Sequence, residues 1–379
     1  MQRMKIDRDY LRSTLTDLVR INSVNPTLVE GGPGEAEIAA YVAGSLRAAG
    51  LQVETHEPQP GRVSVVGALG GNGGGRSLML NAHYDTVGVD GMTEPFSGAV
   101  RDGRLYGRGA YDMKGSLAAQ MAAAKALADA RAPLRGDLLV AAVADEEYGS
   151  IGTADLISRY KVDGAIVTEP TALKICLAHK GYMWVEVQTH GRAAHGSKFE
   201  LGVDANMIMG RFLAGLDVLE RDLRARAPHP LVGPPSLHAA TLHGGTGLST
   251  YAANCTLAIE RRTIPGETEA QALGEIQALA AGMPATVRGF FTREPFEVPR
   301  DAAIVRTLAR ATQAVLDRPP DYFGDTPWMD AALLSAAGVE TVVIGPAGAG
   351  AHAIEEWVDI ESVAQLAEIL ARTAMEYCG

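Results

Sequence analysis

The sequence has few cysteines, no excess of positive charge and no long apolar run. Its three cysteines, Cys176, Cys255 and Cys378, are too few and too scattered for a disulfide framework, and none are spaced like a metal site. Lysine and arginine number 34 against 45 aspartates and glutamates, so nucleic acid is not an expected partner. No stretch is long enough to cross a bilayer, so no membrane partner is expected.

The first residues, MQRMKIDRDYLRSTLTDLVRI, are charged throughout and lack the apolar core and cleavage site of a secretory signal. Together with the few cysteines, this pattern predicts a cytoplasmic protein. With 379 residues, 47% of them hydrophobic, the chain is long enough for two domains.

Four segments predict buried strands, because each is almost continuously apolar and is bounded by turn residues. Amphipathic helical patterns lie between them, and this alternation predicts an α/β fold with a mostly parallel sheet. The four strand segments are 76–85, 137–147, 164–170 and 340–346.

The middle of the chain has a different pattern. The segments 179–191 and 255–266 alternate polar and apolar residues, as strands of an antiparallel sheet with one wet face do. We therefore predict a smaller α+β domain at 180–293, inserted into a catalytic domain formed by 1–179 and 294–379.

Potential metal ligands follow the predicted strands of the larger domain. Sites in open α/β sheets form where loops leave the carboxyl ends of strands. A mixture of imidazole and carboxylate donors suits zinc or a similar divalent ion. The residues at these positions are His83 and Asp85, Glu146 and Glu147, Glu169, His352 and, in a glycine-punctuated loop before a helix, Asp112.

Each of these residues also has a structural interpretation. His83 could be a hydrogen-bonded core histidine, although Asp85 two positions later could orient its ring. Glu146 and Glu147 could form a solvated turn, and Asp112 could cap the following helix. Only their combined occurrence at one edge of the sheet favours a metal site.

Seven motifs together resemble the co-catalytic zinc amidohydrolases and metallopeptidases, a family that includes acetylornithine deacetylase, succinyl-diaminopimelate desuccinylase, aminoacylase and glutamate carboxypeptidase. The resemblance covers nearly the whole chain. It implies a zinc-binding α/β domain interrupted by an α+β lid through which two subunits dimerise. The motifs are NAHYDTV, GRLYGRGAYDMKGSLAA, VADEEYGSIGT, VTEPT, THGRAAHGS, ERRTIPGE and GAGAHAIEEWV.

The resemblance also implies roles for the strand-end residues. Two divalent metal ions are expected, with zinc as the first choice and cobalt or manganese as alternatives. Glu146 would be the general base for a metal-bridged water. The five ligands would be a bridging Asp112, His83 and Glu169 on one ion, and Glu147 and His352 on the other.

Four further residues are candidates for catalysis or substrate binding. His195 would stabilise the oxyanion in the partner subunit's site, although by itself it could be a turn histidine. Arg262 would bind a substrate carboxylate, and the backbone at Gly348 would approach the same group. Many relatives have an asparagine where this chain has Ser249, so no relative's substrate can be transferred.

The expected reaction is metal-dependent hydrolysis of the amide bond of an N-acyl amino acid, as in acetylornithine deacetylase. A dipeptidase or carboxypeptidase acting on a short peptide with the same residues is the alternative. A catalytically silent binding protein is disfavoured because all five ligands and Glu146 are present. A dinucleotide-binding oxidoreductase would need a glycine fingerprint after its first strand, which the sequence lacks.

Overall fold

The computed structural model describes residues 5–379. Within these residues no helix is both long and apolar enough to cross a membrane. The turn at Ala110–Lys114, called the π-helical turn here, has non-helical backbone angles at Asp112 and Met113 and leads directly into the third α-helix. The α-helices are α1 (Arg8–Arg20), α2 (Ala36–Ala48), α3 (Gly115–Asp129), α4 (Ile151–Arg159), α5 (Ala205–Ala225), α6 (Glu269–Leu279), α7 (Ala303–Leu316), α8 (Ala331–Ala336) and α9 (Ile360–Tyr377).

The strands are mostly short. They are β1 (Gln52–Gln59), β2 (Arg62–Leu69), β3 (Leu78–His83), β4 (Ala99–Arg101), β5 (Arg104–Tyr106), β6 (Leu138–Val143), β7 (Gly164–Val167), β8 (Ile175–His179), β9 (Gly181–His190), β10 (Ser236–Gly244), β11 (Asn254–Thr263), β12 (Ala285–Arg293), β13 (Phe296–Glu297), β14 (Tyr322–Asp325), β15 (Glu340–Val343), β16 (Gly348–Ala349) and β17 (Trp357–Asp359).

The chain divides into two compact units. The first contains the described residues up to Leu177 together with Val298–Phe323 and Met329–Gly379. The second contains Ala178–Glu297 and Gly324–Trp328. The second unit includes the whole segment 180–293 and also takes in a few residues beyond each end of it.

The first unit is built on a mixed sheet whose central strands are parallel. Its strands run in the order β1-β2-β6-β3-β7-β15-β8, and β6, β3, β7 and β15 are mutually parallel. Every residue of β3, β6 and β7 is buried, which explains their near-continuous apolar sequences. Strands β1, β2 and β8 flank this centre with antiparallel pairing. The predicted α/β class is confirmed, with a parallel centre and antiparallel flanks.

Helix α3 lies against the centre of this sheet. It contacts β3 and β6 and also packs against α1 and α9. Nearly all of its residues are buried, and its alanine-rich sequence suits a helix that is covered on all sides. The packing holds the π-helical turn that precedes α3 close to the ends of the parallel strands.

The second unit is an antiparallel sheet with two helices. Its strand order is β10-β11-β9-β12, and all three pairings are antiparallel, as the alternating sequences predict. Buried and half-buried residues alternate along β9, and Met183, Val185 and Val187 belong to the hydrophobic core that includes residues of α5 and α6. Strand β10 is an edge strand, and seven of its nine residues are exposed.

Candidate metal centre

Four of the predicted residues converge on the imidazole of His83, the last residue of β3. Its Nε2 atom lies 3.1 Å from Asp112 Oδ1, 3.6 Å from Glu169 Oε1 and 3.8 Å from Glu146 Oε2. A ligand atom of Glu147 also lies within 4.8 Å of those of His83 and Asp112. The strand ends and the π-helical turn therefore place these carboxylates around one imidazole.

His352 approaches the same carboxylates from the loop after β16. Its Nε2 atom lies 3.0 Å from Glu147 Oε2 and 3.5 Å from Asp112 Oδ2. The backbone of His352 is left-handed, with φ of 61°, and this conformation is uncommon for a non-glycine residue. Asp112 thus directs one carboxylate oxygen toward His83 and the other toward His352.

Burial and mutual repulsion shift the pKa values of these acids. Burial, reinforced by neighbouring carboxylates, raises the pKa of Glu146 and Glu169 well above the ordinary value. Burial opposes the charge on His83, but Asp112 and the nearby glutamates raise the pKa of its imidazole overall. Hydrogen bonding to Glu147 raises the pKa of His352. The cluster therefore brings together buried acids whose ionised forms lack enough compensating positive charge.

This donor set fits a pair of divalent ions. Two imidazole nitrogens and four carboxylates are brought within a few ångströms, and His83 itself is only 1% exposed. Buried carboxylates require a cation or a hydrogen-bond donor, and the two histidines offer few of the latter. Mixed nitrogen and oxygen donors are those that zinc and neighbouring metals take.

The sequence predicted that the side chain of Asp85 orients the ring of His83, and the structure shows a different contact. The Nδ1 atom of His83 lies 3.0 Å from the backbone oxygen of Asp85 and 3.7 Å from its carboxylate. The carboxylate instead accepts the backbone N–H groups of Glu146, at 3.1 Å, and Glu147, at 3.3 Å. The chain turns after β3, so the carbonyl of Asp85 rather than its side chain faces the ring. Asp85 therefore contacts His83 through its backbone and the glutamate pair through its side chain.

Sequence reasoning missed the polar residues behind the glutamates. Asn25 donates from Nδ2 to Asp85 Oδ2 at 2.8 Å and to Asp145 Oδ1 at 3.0 Å. Asp145 also accepts a hydrogen bond from Arg62 Nη2 at 2.7 Å, and Arg62 forms an ion pair with the fully buried Glu35. Asp145 precedes the two glutamates, and its place in an acidic triplet was the one available signal.

The remaining candidates occur in the second unit, apart from Gly348. His195 is hydrogen-bonded through Nδ1 to Ser197 Oγ at 2.8 Å and forms an isolated bridge with Thr250. Because Gly196 donates its N–H to the carbonyl of Ser249, His195 and Ser249 lie on adjacent segments. The structure thus brings these two candidates together within the second unit.

The two arginines of β11 have opposite environments. Arg261 is fully buried and pairs with Glu267 at 2.7 Å. Arg262 is partly exposed, donates from Nε to Glu260 at 2.7 Å and lies over the Tyr182 ring. Successive strand residues point to opposite faces, so only Arg262 is accessible to an anion.

Gly348 has a packing role in the structure. A Cβ atom at this position would lie 2.4 Å from the carbonyl oxygen of Trp357 and 2.5 Å from the Tyr111 ring. Only glycine allows the strands β16 and β17 to approach in this way. Its predicted contact with substrate stays a prediction.

The chain is similar to known proteins in both sequence and structure. The model of peptidase family M20/M25/M40 matches residues 79–376. An acetylornithine deacetylase from Myxococcus xanthus is 32% identical over 97% of this chain and 98% of its own length. An M20-family metallo-carboxypeptidase from Sulfolobus solfataricus has a similar structure, with a TM-score of 0.80 at 19% identity over 97% of this chain and 99% of that one.

A dinuclear metal-binding M20-family peptidase from Bacillus subtilis is also similar, with a TM-score of 0.73 at 16% identity and 98% of both chains covered. The family match spans all five candidate ligands and Glu146. The chain therefore belongs to peptidase family M20/M25/M40 and is a metal-dependent hydrolase of amide bonds.

Proposed function

We propose that this protein removes the acyl group from an N-acyl amino acid at a site that holds two divalent metal ions, zinc being the first choice. The observation that carries the proposal is the position of Asp112, whose two oxygens face His83 and His352 respectively. Such an acid is suited to bridge two ions. His83 and Glu169 would complete one ligand set, and Glu147 and His352 the other.

The ions would polarise the scissile carbonyl and lower the pKa of a water molecule. Glu146 lies beside the ligands, and its backbone is held by Asp85. Its carboxylate takes a proton from the attacking water and delivers it to the departing amine.

His195 and Arg262, which both belong to the second unit, would contact the substrate. The imidazole of His195 would donate to the oxyanion that develops on the carbonyl oxygen, within the partner subunit's site. Two of the guanidinium nitrogens of Arg262 are not engaged by Glu260, so they are suited to a substrate carboxylate. This arrangement requires a homodimer. The exposed edge strand β10 supports it, because such an edge can pair with a second copy.

Deacylation is preferred over peptide hydrolysis because of the acetylornithine deacetylase relative, which matches almost the whole chain. The competing reaction is cleavage of a dipeptide or of a carboxyl-terminal residue, as the names of the structural neighbours suggest. Both reactions use the same ligands and differ only in the group on the acyl side. A cytoplasmic location stays a prediction based on the scarcity of cysteine.

The test is a measurement of amine release from N-acetyl, N-succinyl, N-formyl and N-carbamoyl amino acids and simple dipeptides. We expect zinc- or cobalt-loaded protein to hydrolyse at least one N-acyl amino acid. Glu146→Gln keeps the shape but removes the base, so we expect kcat to fall by about 10²–10⁴-fold. Glu361→Gln, an exposed glutamate paired with Arg8, is the matched control and should retain activity.

Each outcome decides a separate part of the proposal. Preferential cleavage of dipeptides would replace the deacylase with the peptidase. Wild-type activity in Glu146→Gln would contradict its role as the base. No hydrolysis of any compound by metal-loaded protein would contradict the proposed substrate class.

A further inference from the structure

Glu356 is a buried carboxylate that the proposed reaction does not use. Its side chain has no exposed surface, and each of its oxygens accepts two hydrogen bonds. Oε1 accepts the backbone N–H groups of Tyr111, at 2.9 Å, and Asp112, at 3.0 Å. Oε2 accepts Arg108 Nη1, at 2.7 Å, and the backbone N–H of Gly109, at 3.0 Å.

Arg108 completes a connection between two segments of the chain. Its Nη2 atom donates to the carbonyl oxygen of Ala353 at 2.9 Å, directly after His352. The backbone N–H of Gly107 donates to the carbonyl oxygen of Glu356 at 3.1 Å. Residues 107–112, which carry Asp112, are therefore tied to residues 352–356, which carry His352.

We propose that Glu356 is a positioning residue that fixes Asp112 relative to His352 and thereby determines the affinity for the second metal ion. The inference rests on the proposed two-ion site. His83 and Glu169 depend on the buried strands β3 and β7, which hold them independently of Glu356. His352 lies in a loop, and its side chain is 55% exposed. Asp112 belongs to both ligand sets, but its Oδ1 atom also lies 3.1 Å from Nε2 of the buried His83. The set of Glu147 and His352 therefore depends most on the hydrogen bonds of Glu356 and Arg108, which we call the clamp.

Glutamine is a sharp probe of this role because it matches glutamate in size and offers one acceptor oxygen instead of two. In the wild type, each carboxylate oxygen of Glu356 accepts two N–H groups. In either orientation of the glutamine amide, its NH₂ group replaces one of these oxygens and cannot accept from the two N–H donors there. Either the Arg108 side or the Asp112 side of the clamp must then open. Residues of this kind behind a ligand typically change metal affinity by about 10–100-fold.

The experiment titrates Co²⁺ into the chelator-stripped full chain and follows binding by calorimetry and visible absorption. We expect the wild type to bind two ions in distinguishable steps. In Glu356→Gln the second step should weaken by about 10–100-fold and the first by a smaller factor, since only Asp112 of the first ligand set contacts Glu356. Arg108→Lys keeps the charge but loses the fork, so it should show the same asymmetry in weaker form.

Glu267→Gln is the matched control. Glu267 likewise accepts hydrogen bonds from an arginine side chain and a backbone N–H: from Arg261 at 2.7 Å and from Ile264 at 3.0 Å. Unlike Glu356, it belongs to the second unit. Both binding steps should be unchanged in this variant. Thermal unfolding of the metal-free proteins then separates loss of positioning from loss of folding.

Several results would overturn the inference. Wild-type affinity for both ions in Glu356→Gln, or in Arg108→Lys if the first variant does not fold, would show that the clamp does not position the ligands. Equal weakening of both steps with a lower melting temperature would assign Glu356 a general structural role. A wild type that binds one ion would remove the two-ion premise as well. A wild type that binds two ions but hydrolyses nothing would contradict only the substrate proposal.

Discussion

Arg62 shows how one buried side chain supports the candidate site from behind. Its guanidinium makes hydrogen bonds to both oxygens of Glu35, at 2.7 and 2.8 Å, and to Asp145 at 2.7 Å. Asn25 then links Asp145 to Asp85, whose carboxylate holds the backbone of the glutamate pair. A single cation therefore compensates two buried acids, and one of them, Asp145, directly precedes the glutamate pair.

Replacing Arg62 by methionine should destabilise the fold, because Glu35 and Asp145 would lose their common partner. Breaking a buried pair in this way typically costs about 3–5 kcal/mol. Burial raises the pKa of Glu35 to about 7 even beside Arg62, so protonation of Glu35 should keep the loss near the lower end. Urea unfolding of the metal-free protein measures the difference.

Arg8→Met is the control for that change. Arg8 and Glu361 form an ion pair whose side chains are 65% and 55% exposed. Such pairs contribute about 1 kcal/mol or less. Similar losses in the two variants would contradict the claim that the Arg62 network is the stronger one.

The sequence indicated the candidate metal ligands but not the residues that hold them in place. His83, Asp112 and Glu169 were predicted because each stands at a recognisable strand or helix boundary. Arg62 begins β2 and Glu356 directly precedes β17, but their partners are distant along the chain. Arg62 and its partner Asp145 are 83 positions apart, and Glu356 and its partner Arg108 are 248 positions apart.

At the scale of elements, the site depends on the alignment of the parallel strands β3 and β7. Ser77 and Asp163 stand just before these strands, and Asp163 Oδ2 accepts both the backbone N–H and the hydroxyl of Ser77, at 2.8 and 2.9 Å. The N–H of Asp163 donates back to Ser77 Oγ at 3.0 Å. This reciprocal contact helps to fix the register that places His83 beside Glu169.

Asp163→Asn should remove a pH-dependent part of the stability. The backbone and hydroxyl donors of Ser77 lower the pKa of Asp163 in the folded protein, so the unfolded chain binds the proton more tightly. The stabilisation is therefore present above the unfolded pKa of about 3.9 and is lost as the pH falls through the lower folded value.

Urea unfolding at a series of pH values checks this expectation. The difference in the free energy of unfolding between wild type and Asp163→Asn should narrow below about pH 4. Ser77→Ala removes the hydroxyl donor but keeps the backbone donor. Its pH-dependent loss of stability relative to the wild type should therefore be smaller than that of Asp163→Asn. A gap that is constant with pH would show that the charge of Asp163 does not contribute.

The central strands could be predicted because parallel strands covered on both faces are continuously apolar. The flanking strand β1 could not, since its exposed residues give no such run. The short strands β4, β5, β16 and β17 form a further sheet from segments that read as loops. Elements of two or three residues carry too little pattern to be recognised.

At the scale of the whole molecule, the edge strand β10 leads to a prediction about assembly. Leu242 of this strand is 51% exposed, and the strand pairs only with β11 within the described part of the chain. If two copies associate through this edge, a buried carboxylate at position 242 would be costly. Leu242→Glu should therefore convert the dimer into monomers.

Light scattering coupled to size-exclusion chromatography measures the outcome. The wild type should have twice the mass of the chain and Leu242→Glu the mass of one chain, with loss of activity if His195 acts across the dimer. Phe290→Glu, at a half-exposed position on the opposite edge strand β12, is the control and should stay dimeric. A monomeric wild type that is fully active would contradict both the dimer and this role of His195.

The sequence by itself determined the fold class, the two kinds of sheet and the choice of candidate metal ligands, because periodicity and strand-end chemistry are local properties. The tertiary structure decided which oxygen of Asp112 faces which histidine, the use of the Asp85 carboxylate for the glutamate backbone, and the clamp at Glu356. These contacts join segments that are far apart in the chain. Only packing brings them within the few ångströms at which a hydrogen bond forms.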